Sequence, residues 1–250
     1  MVAPAEALAR CFPALAALQP VRWTPAGLVC APRAAAELAG PALAACPLPW
    51  VAEERVPGWP DPPSDWSGGF YRRSPDHAPA PPGVRELVQV PGEGFGSGDH
   101  PTSALCLAAL AGLPAGPALD AGCGSGVLSL AWAALGRGPV LAVDLDRAAV
   151  AQTRRAVAAA GLEGVVTVRR GPLERLAPEE IAGRVVLANM PLAVQRALLE
   201  RVGPPPRAAL LSGLRPGQAR ELVAGWRRRG LAPVAAARRG RWERWTLVAR

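Results

Sequence analysis

The long carboxyl-terminal part of the chain contains short apolar runs separated by segments with helical spacing of hydrophobic residues. Strands are predicted near residues 117–121, 140–144, 165–169, 184–189 and 207–212, and the stretches between them are predicted to be helices. Strands that alternate with helices in this way form a parallel sheet covered on both faces. The pattern therefore predicts an α/β fold.

The two ends of this region have their own patterns. At the start, residues 84–90 predict a strand and residues 102–112 predict a helix. At the far end, the apolar segments 232–237 and 242–249 flank the turn dipeptide Arg239-Gly240 and predict an antiparallel hairpin. The hairpin is expected to close the parallel sheet on one side.

The amino-terminal part is less regular. A hairpin is predicted between Val21 and Ala31, and helices are predicted at residues 5–18 and 33–45. A stretch rich in proline and glycine follows and has the composition of a linker. The predicted domains are a small α/β domain at 1–56, a linker at 57–83 and the main domain at 84–250.

Composition excludes several classes of protein. Half of the 250 residues are hydrophobic, which is enough for a full core. The formal net charge is +8 and all 28 basic residues are arginine, spread along the chain apart from clusters at Arg227 to Arg229 and Arg238 to Arg244. These clusters contain no recognisable nucleic-acid-binding module, so nucleic acid is not the expected partner. The sequence does not indicate an oligomeric state.

The cysteines are scattered and contain no C-x-x-C pair, which indicates reduced thiols in a cytoplasmic protein and no metal site. The amino terminus lacks the unbroken apolar core of a secretory signal, and no apolar run approaches the roughly twenty residues of a membrane span. A membrane association is therefore not expected. The five cysteines are Cys11, Cys30, Cys46, Cys106 and Cys123.

A glycine-rich turn follows the strand predicted near residues 117–121. The sequence from Asp120 to Gly126 is D-A-G-C-G-S-G, and alternate glycines allow a strand-to-helix turn to lie flat against a ligand. A dinucleotide site would have G-x-G-x-x-G spacing, whereas D-x-G-x-G-x-G is typical of S-adenosylmethionine enzymes. Asp120, Gly122, Gly124 and Gly126 are therefore predicted to contact this cofactor; the alternative is a tight turn without a ligand.

A second acid supports this interpretation. Asp144 ends the next apolar strand, about twenty residues beyond the glycines, where an α/β unit presents a carboxylate to ribose hydroxyls. The alternative is that Asp144 or Asp146 only caps the helix that begins near Arg147, and Asp146 is the better candidate for the cap. A parallel sheet with a closing hairpin and this site has the arrangement of a class I, Rossmann-like methyltransferase.

A loop from Pro91 to Ser103 precedes the first helix of the main domain. Its glycines surround Phe95 and include Gly96, and it leads into the helix through Thr102 or Ser103. Such a loop can fold over a cofactor, with hydroxyls and a helix amino terminus near the cofactor carboxylate. The alternative is a plain linker. His100 is a candidate general base by type, but an anchoring role is favoured for a histidine at this junction.

Asn189 ends another buried strand and is followed by Met190-Pro191. At the carboxyl end of a strand, beside the cofactor, its side-chain oxygen can accept a hydrogen bond from a substrate amine and orient the lone pair. Asn189 is therefore the candidate catalytic residue, and the alternative is that it caps the helix near Leu192. The segment from Gly171 to Glu174 is expected near adenine.

Four motifs together resemble the bacterial ribosomal protein methyltransferase A family, which modifies a ribosomal protein of the large subunit. They are P-G-x-G-F-G-S-G-D-H-P-T-S, D-A-G-C-G-S-G-V-L, V-D-L-D and A-N-M. The resemblance covers roughly residues 59–249. It implies that Ser103, Gly122, Asp144 and Asn189 contact S-adenosylmethionine, with Phe95 and Gly96 in the loop that covers the cofactor.

The resemblance further implies a ferredoxin-like amino-terminal domain that binds the ribosomal protein, and a linker helix that includes Asp65-Trp66, Phe70 and Arg72-Arg73. The sequence departs from the family at Asp99, at Met190-Pro191 and in the amino-terminal segment, which lacks an obvious first strand. Three alternatives follow from these departures. The protein methylates another protein, it methylates a small-molecule amine or a nucleobase, or it binds the cofactor without catalysis.

Overall fold

The structure of the protein is a computed structural model. It describes residues 21–24, 27–30, 50–52, 66–67, 70–76, 85–92, 94, 96 and 100–249. The chain divides into two compact units, Met1–Glu86 and Leu87–Arg250. The helices predicted at 5–18 and 33–45 and the loop residue Phe95 lie outside the described residues.

The first unit contains a β-hairpin near its start. Strands β1 (Val21–Thr24) and β2 (Gly27–Cys30) pair antiparallel with Thr24 opposite Gly27, which confirms the predicted hairpin. Because proline follows Thr24 in the sequence, that residue favours extended backbone, as the end of a strand requires. Strand β3 (Trp50–Ala52) pairs in parallel with β2.

Two strands lie within the segment predicted to be a linker. They are β4 (Trp66–Ser67) and β5 (Phe70–Arg73), which pair antiparallel. The expected helix over these residues is therefore wrong. Burial alternates along β5, with Phe70 and Arg72 buried and the residues after each of them half-buried. This two-residue period is that of a strand, since successive side chains point to opposite faces.

The second unit contains strands and helices in the predicted order, except between residues 170 and 185, where two short 3-10 turns replace the predicted helix. Strand β6 (Glu86–Val88) begins at the boundary between the units and is shorter than the strand predicted at 84–90. It is followed by α1 (Pro101–Leu110), β7 (Ala118–Ala121), α2 (Val127–Ala134), β8 (Val140–Asp144), α3 (Arg147–Ala159), β9 (Val166–Arg170), β10 (Val185–Asn189), α4 (Leu192–Glu200), β11 (Ala208–Leu214), α5 (Gln218–Arg228), β12 (Leu231–Arg239) and β13 (Trp242–Ala249). Short 3-10 turns at Leu173–Arg175 and Pro178–Glu180 lie between β9 and β10.

Seven of these strands form one sheet with the order β12-β13-β11-β10-β7-β8-β9. The strands from β11 to β9 are parallel, and β13 and β12 form an antiparallel hairpin beside β11. The predicted parallel sheet with a closing hairpin is therefore confirmed. Because parallel strands end at the same edge, the residues that follow β7, β8 and β10 lie close together there.

The middle of the sheet is buried on both faces. All residues of β7 are buried, and so are nearly all residues of β10 and β11, in agreement with their largely apolar sequences. Trp132 of α2 and Trp226 of α5 are also fully buried. Each tryptophan removes on the order of 200 Å² of surface from water. Among the residues that the structure describes, no helix has the length and apolar character to cross a membrane.

The turn after β10 is packed tightly against β11. Gly213 has a φ of +81°, and a β-carbon at this position would lie 2.5 Å from the carbonyl oxygen of Met190. Gln195 of α4 is 1% exposed, and its Nε2 donates to the carbonyls of Met190 (2.7 Å) and Ser212 (2.6 Å). The end of β10 is thus fixed to both α4 and β11.

We expect Gln195→Leu to lower the free energy of unfolding by about 2 kcal/mol, because the Met190 carbonyl loses its buried donor. Denaturant unfolding followed by circular dichroism measures this change. The control is Arg196→Ala, which removes an exposed ion pair with Glu221 and should cost less than about 1 kcal/mol. Equal losses in the two variants would contradict the structural role of Gln195.

Candidate active site

A cavity of about 710 Å³ lies in the second unit, at the carboxyl edge of the parallel strands. This volume is within the range of sites for small molecules. The cavity is bounded by the glycine turn after β7, the ends of β8 and β10, and the loop before α1. The predicted site residues that line it are Gly96, Ser103, Asp120, Gly122, Gly124, Asp144 and Asn189.

The glycine turn has the backbone conformation that its sequence suggests. The φ angles of Gly122, Gly124 and Gly126 are 67°, 55° and 82°, where a side chain would introduce strain. Gly122 and Gly124 line the cavity, but Gly126 does not. A β-carbon at Gly126 would lie 2.7 Å from Cγ2 of Thr153 in α3. The geometry therefore gives Gly126 a packing role at the start of α2.

Asp144 connects the end of β8 to the glycine turn. Its Oδ2 accepts a hydrogen bond from the Gly124 amide (2.9 Å), and its Oδ1 accepts one from the Asp146 amide (2.9 Å). Each carboxylate oxygen has two lone pairs, so both oxygens retain capacity to accept from hydroxyl groups. The N-cap of α3 is Asp146, which accepts from the Ala148 amide. The alternative that Asp144 only caps this helix is therefore wrong.

Asp120 is a buried carboxyl group at the start of the turn. It is 2% exposed, and its Oδ2 accepts from the amide (3.0 Å) and the hydroxyl (2.6 Å) of Ser129. Burial raises the pKa of Asp120 to about 6, although the hydrogen bonds from Ser129 act in the opposite direction. A carboxyl group with a raised pKa in a cavity is a frequent feature of functional sites.

The loop before α1 is attached to the glycine turn. The Gly96 carbonyl accepts a hydrogen bond from the Ser125 hydroxyl (2.7 Å). Helix α1 begins at Pro101, one residue before the expected entry, and its N-cap is His100, whose side chain accepts from the Thr102 amide. The His100 ring also packs edge-on against Trp242, with the ring centroids 5.0 Å apart. These contacts favour the anchoring role for His100.

Asn189 is the last residue of β10, and the nitrogen of its side-chain amide makes a hydrogen bond. Its Nδ2 donates to the Ser103 hydroxyl (3.5 Å). Its Oδ1 is buried and has no hydrogen-bond partner within the part of the chain that the structure describes. Helix α4 has Pro191 as its N-cap, so the alternative that Asn189 caps this helix is wrong. A buried acceptor of this kind is costly unless a ligand satisfies it.

Several residues that line the cavity were not predicted from the sequence, among them Met190 and Trp242. A β-carbon at Gly122 would lie 2.5 Å from the Met190 sulfur, so the Met190 side chain occupies the space that this glycine leaves. Trp242 also lines the cavity. Trp242 begins β13, which pairs antiparallel with β11 and places Glu243 opposite Leu214 at the carboxyl end of β11. The hairpin tip must therefore lie at the same edge of the sheet as the cavity.

The cavity residues fit S-adenosylmethionine. Asp144 retains acceptor capacity for ribose hydroxyls, and the backbone of the glycine turn lines the cavity at Gly122 and Gly124. Ser103 and the amino terminus of α1 favour a negatively charged group such as the cofactor carboxylate. The segment from Gly171 to Glu174, predicted near adenine, also lines the cavity.

The parallel sheet with its closing hairpin, together with a glycine turn and an acid at the carboxyl edge, defines a class I methyltransferase. Residues 84–250 match the family model described as ribosomal protein L11 methyltransferase (PrmA), and the chain belongs to this family. The predicted family, fold class and S-adenosylmethionine cofactor are confirmed.

Individual relatives agree with this assignment. The ribosomal protein L11 methyltransferase of Gloeobacter violaceus is 39% identical over 66% of this chain and 52% of its own length. The one from Chromohalobacter salexigens is 36% identical over 68% of this chain and 58% of its own length. The chain thus spans about half the length of the curated relatives that it matches. A crystal structure of ribosomal protein L11 methylase from Lactobacillus delbrueckii subsp. bulgaricus has a similar fold, with a TM-score of 0.59, 19% identity, and coverage of 73% of this chain and 95% of that chain.

We expect Asp144→Ala to weaken S-adenosylmethionine binding by about 1.5 to 3 kcal/mol, because charge-assisted hydrogen bonds to ribose are lost. Calorimetry measures the affinity. The control is a cofactor analogue that lacks both ribose hydroxyls. If Asp144 holds the ribose, the substitution should weaken the binding of S-adenosylmethionine more than that of the analogue, because only the loss of the Gly124 contact affects both ligands. An equal effect of the substitution on both ligands would exclude a ribose contact.

The raised pKa of Asp120 predicts a pH-dependent stability. The folded-state pKa is about 6, whereas an unfolded aspartate has a pKa of about 3.9. Between these values the folded protein binds the proton more tightly, so this group lowers the stability as pH rises from about 4 to about 6. Asp120→Asn should therefore gain on the order of 2 kcal/mol relative to the unaltered protein across this window. Urea unfolding at several pH values checks this, and a constant difference would contradict it.

Proposed function

We propose that this protein transfers methyl groups from S-adenosylmethionine to amino groups of a protein, and that the substrate is a ribosomal protein of the large subunit. The observation that carries the proposal is the buried, unsatisfied Oδ1 of Asn189 at the cofactor cavity. Family membership supports the reaction, and the names of the relatives support the substrate.

The reaction requires a neutral amine whose lone pair points at the methyl group. Asn189 Oδ1 accepts one N–H of the incoming amine, so that the lone pair is directed along the line of transfer. The Ser103 hydroxyl accepts from Nδ2 of Asn189 and restrains its amide group, and we propose that Oδ1 is thereby available to the substrate amine. Much of the rate then comes from holding the two reactants in the attacking geometry.

The cofactor supplies the activated methyl group, and the remaining site residues hold it. We propose that Asp144 binds the ribose, that Gly122 and Gly124 lie against the cofactor, and that Asp120, Gly96 and Ser103 complete the site together with Phe95. Residues 84–250 carry catalysis in this proposal, since the family model matches them. Residues 1–56 contribute to substrate recognition and residues 57–83 connect the two parts.

The substrate is tested with radiolabelled S-adenosylmethionine and purified large-subunit ribosomal proteins, each incubated separately with the protein. We expect label in ribosomal protein L11 on amino groups. Label in a small-molecule or nucleic-acid fraction of a cell extract, with none in any ribosomal protein, would overturn the proposed substrate. An absence of transfer to any acceptor, despite cofactor binding, would overturn the proposed reaction.

Asn189→Ala should lower the single-turnover rate at saturating cofactor by about 100-fold and weaken cofactor binding much less, because its hydrogen bond orients the amine during transfer. Rapid-quench measurement of methyl transfer gives the rate. Gln218→Ala is the control, since it removes an exposed amide outside the cavity and should leave the rate unchanged. Equal losses in cofactor affinity and rate would make Asn189 a cofactor contact only.

A further inference from the structure

Helix α3 carries a buried glutamine that no step of the proposed reaction uses. Gln152 is 5% exposed and does not line the cavity. Its Nε2 donates to the Val90 carbonyl (2.9 Å), and its Oε1 accepts from the Gly94 amide (2.7 Å). Both ends of one side-chain amide therefore bind the backbone of the loop that precedes α1.

This contact explains two glycines of the loop. A β-carbon at Gly92 would lie 2.4 Å from Cδ of Gln152, and one at Gly94 would lie 2.7 Å from its Oε1. The β-carbon at Gly94 would also lie 3.0 Å from the backbone of Gly124. The loop therefore needs glycine at these positions in order to fit between Gln152 and the glycine turn.

The residue next to Gln152 binds the glycine turn. The hydroxyl of Thr153 donates to the Gly124 carbonyl (2.9 Å), and Thr153 is fully buried. Two adjacent residues of one helix thus hold the loop and the glycine turn. The Ser125 hydroxyl donates to the Gly96 carbonyl and so connects the glycine turn directly to the loop.

We propose that Gln152 is a positioning residue for the cofactor: its hydrogen bonds to Val90 and Gly94 hold the loop against the glycine turn, and so place Gly96, which lines the cavity, for S-adenosylmethionine binding. This proposal rests on the proposed function, since it assigns a determinant of affinity to the same site. Gln152 acts through Gly94 and Gly96 and touches neither cofactor nor substrate.

The amide group of glutamine has the donor and acceptor that this contact requires. A leucine at this position has neither, and an ionised glutamate has acceptors only and would face the Val90 carbonyl without a proton. A protonated glutamate again has one donor and one acceptor. The two substitutions Gln152→Leu and Gln152→Glu therefore separate hydrogen bonding from the filling of space.

The test measures S-adenosylmethionine affinity by calorimetry between about pH 5.5 and 8, a range in which a buried glutamate titrates. Gln152→Leu should bind about 10-fold more weakly at every pH, as expected for the loss of two hydrogen bonds. Gln152→Glu should bind weakly at high pH and approach the affinity of the unaltered protein as the pH falls. The matched control is Ala151→Gln, which adds a glutamine to the exposed side of the same helix and should have no effect.

Hydrogen exchange without cofactor provides a second, independent measurement. Gln152→Leu should increase exchange at the Gly94 amide by about 10-fold and leave the amides of β7 and β10 unchanged. The proposal is overturned if both variants lose thermal stability but match the unaltered protein in cofactor affinity, in the pH dependence of that affinity and in hydrogen exchange of the loop. Gln152 would then be only a structural residue. If the unaltered protein does not bind S-adenosylmethionine, the proposed function fails, and unchanged loop exchange would separately overturn the role of Gln152. Gln152→Glu keeps the shape of the side chain. If Gln152→Leu does not fold, the affinity of Gln152→Glu at high and low pH is compared with that of the unaltered protein.

Discussion

The hydrogen bond from the Gly124 amide to the Asp144 carboxylate joins the ends of two neighbouring strands at the carboxyl edge of the sheet. It works together with bonds from the amides of Gly122 and Cys123 to the Val143 carbonyl. The turn after β7 has positive φ angles that an isolated chain would populate only in part. Its conformation therefore depends on these bonds to β8. Because the turn forms one wall of the cavity, the shape of the site is set by the pairing of two strands.

The regular part of the second unit follows from local sequence. Apolar runs predict the parallel strands, the acid before Arg147 predicts the cap of α3, and Arg239-Gly240 predicts the hairpin. Most of the candidate site is also predictable, since Asp144 and Asn189 each end a recognisable strand and Asp120 lies one residue before the end of another. Gln152 is not predictable in this way, because its partners Val90 and Gly94 lie about sixty residues away and only tertiary packing brings them together. Strand β5 is missed because its burial pattern includes arginine, which sequence patterns assign to a surface.

The segment that contains the loop before α1 and the start of α1 contacts both the glycine turn and Asn189, the residue proposed to orient the substrate. Gly96 binds the glycine turn through Ser125, and a few residues later Ser103 holds the amide of Asn189. A displacement of this loop would therefore alter both walls of the cavity and release the group proposed to orient the amine. In the proposed reaction, the segment that shapes the cofactor site therefore also influences the orientation of the Asn189 side chain toward the incoming nitrogen.

Strand β12 is the outer strand at one side of the seven-stranded sheet, and half of its backbone hydrogen-bonding groups face away from β13. An uncovered strand of this kind can recruit the edge of another molecule and begin aggregation. Pro233 has no amide hydrogen to offer, the register shifts between Pro233 and Ala235, and the exposed Arg238 and Arg239 place like charges at the end of the strand. Each of these features opposes edge-to-edge pairing, so the hairpin that closes the sheet also discourages the addition of a foreign strand to β12.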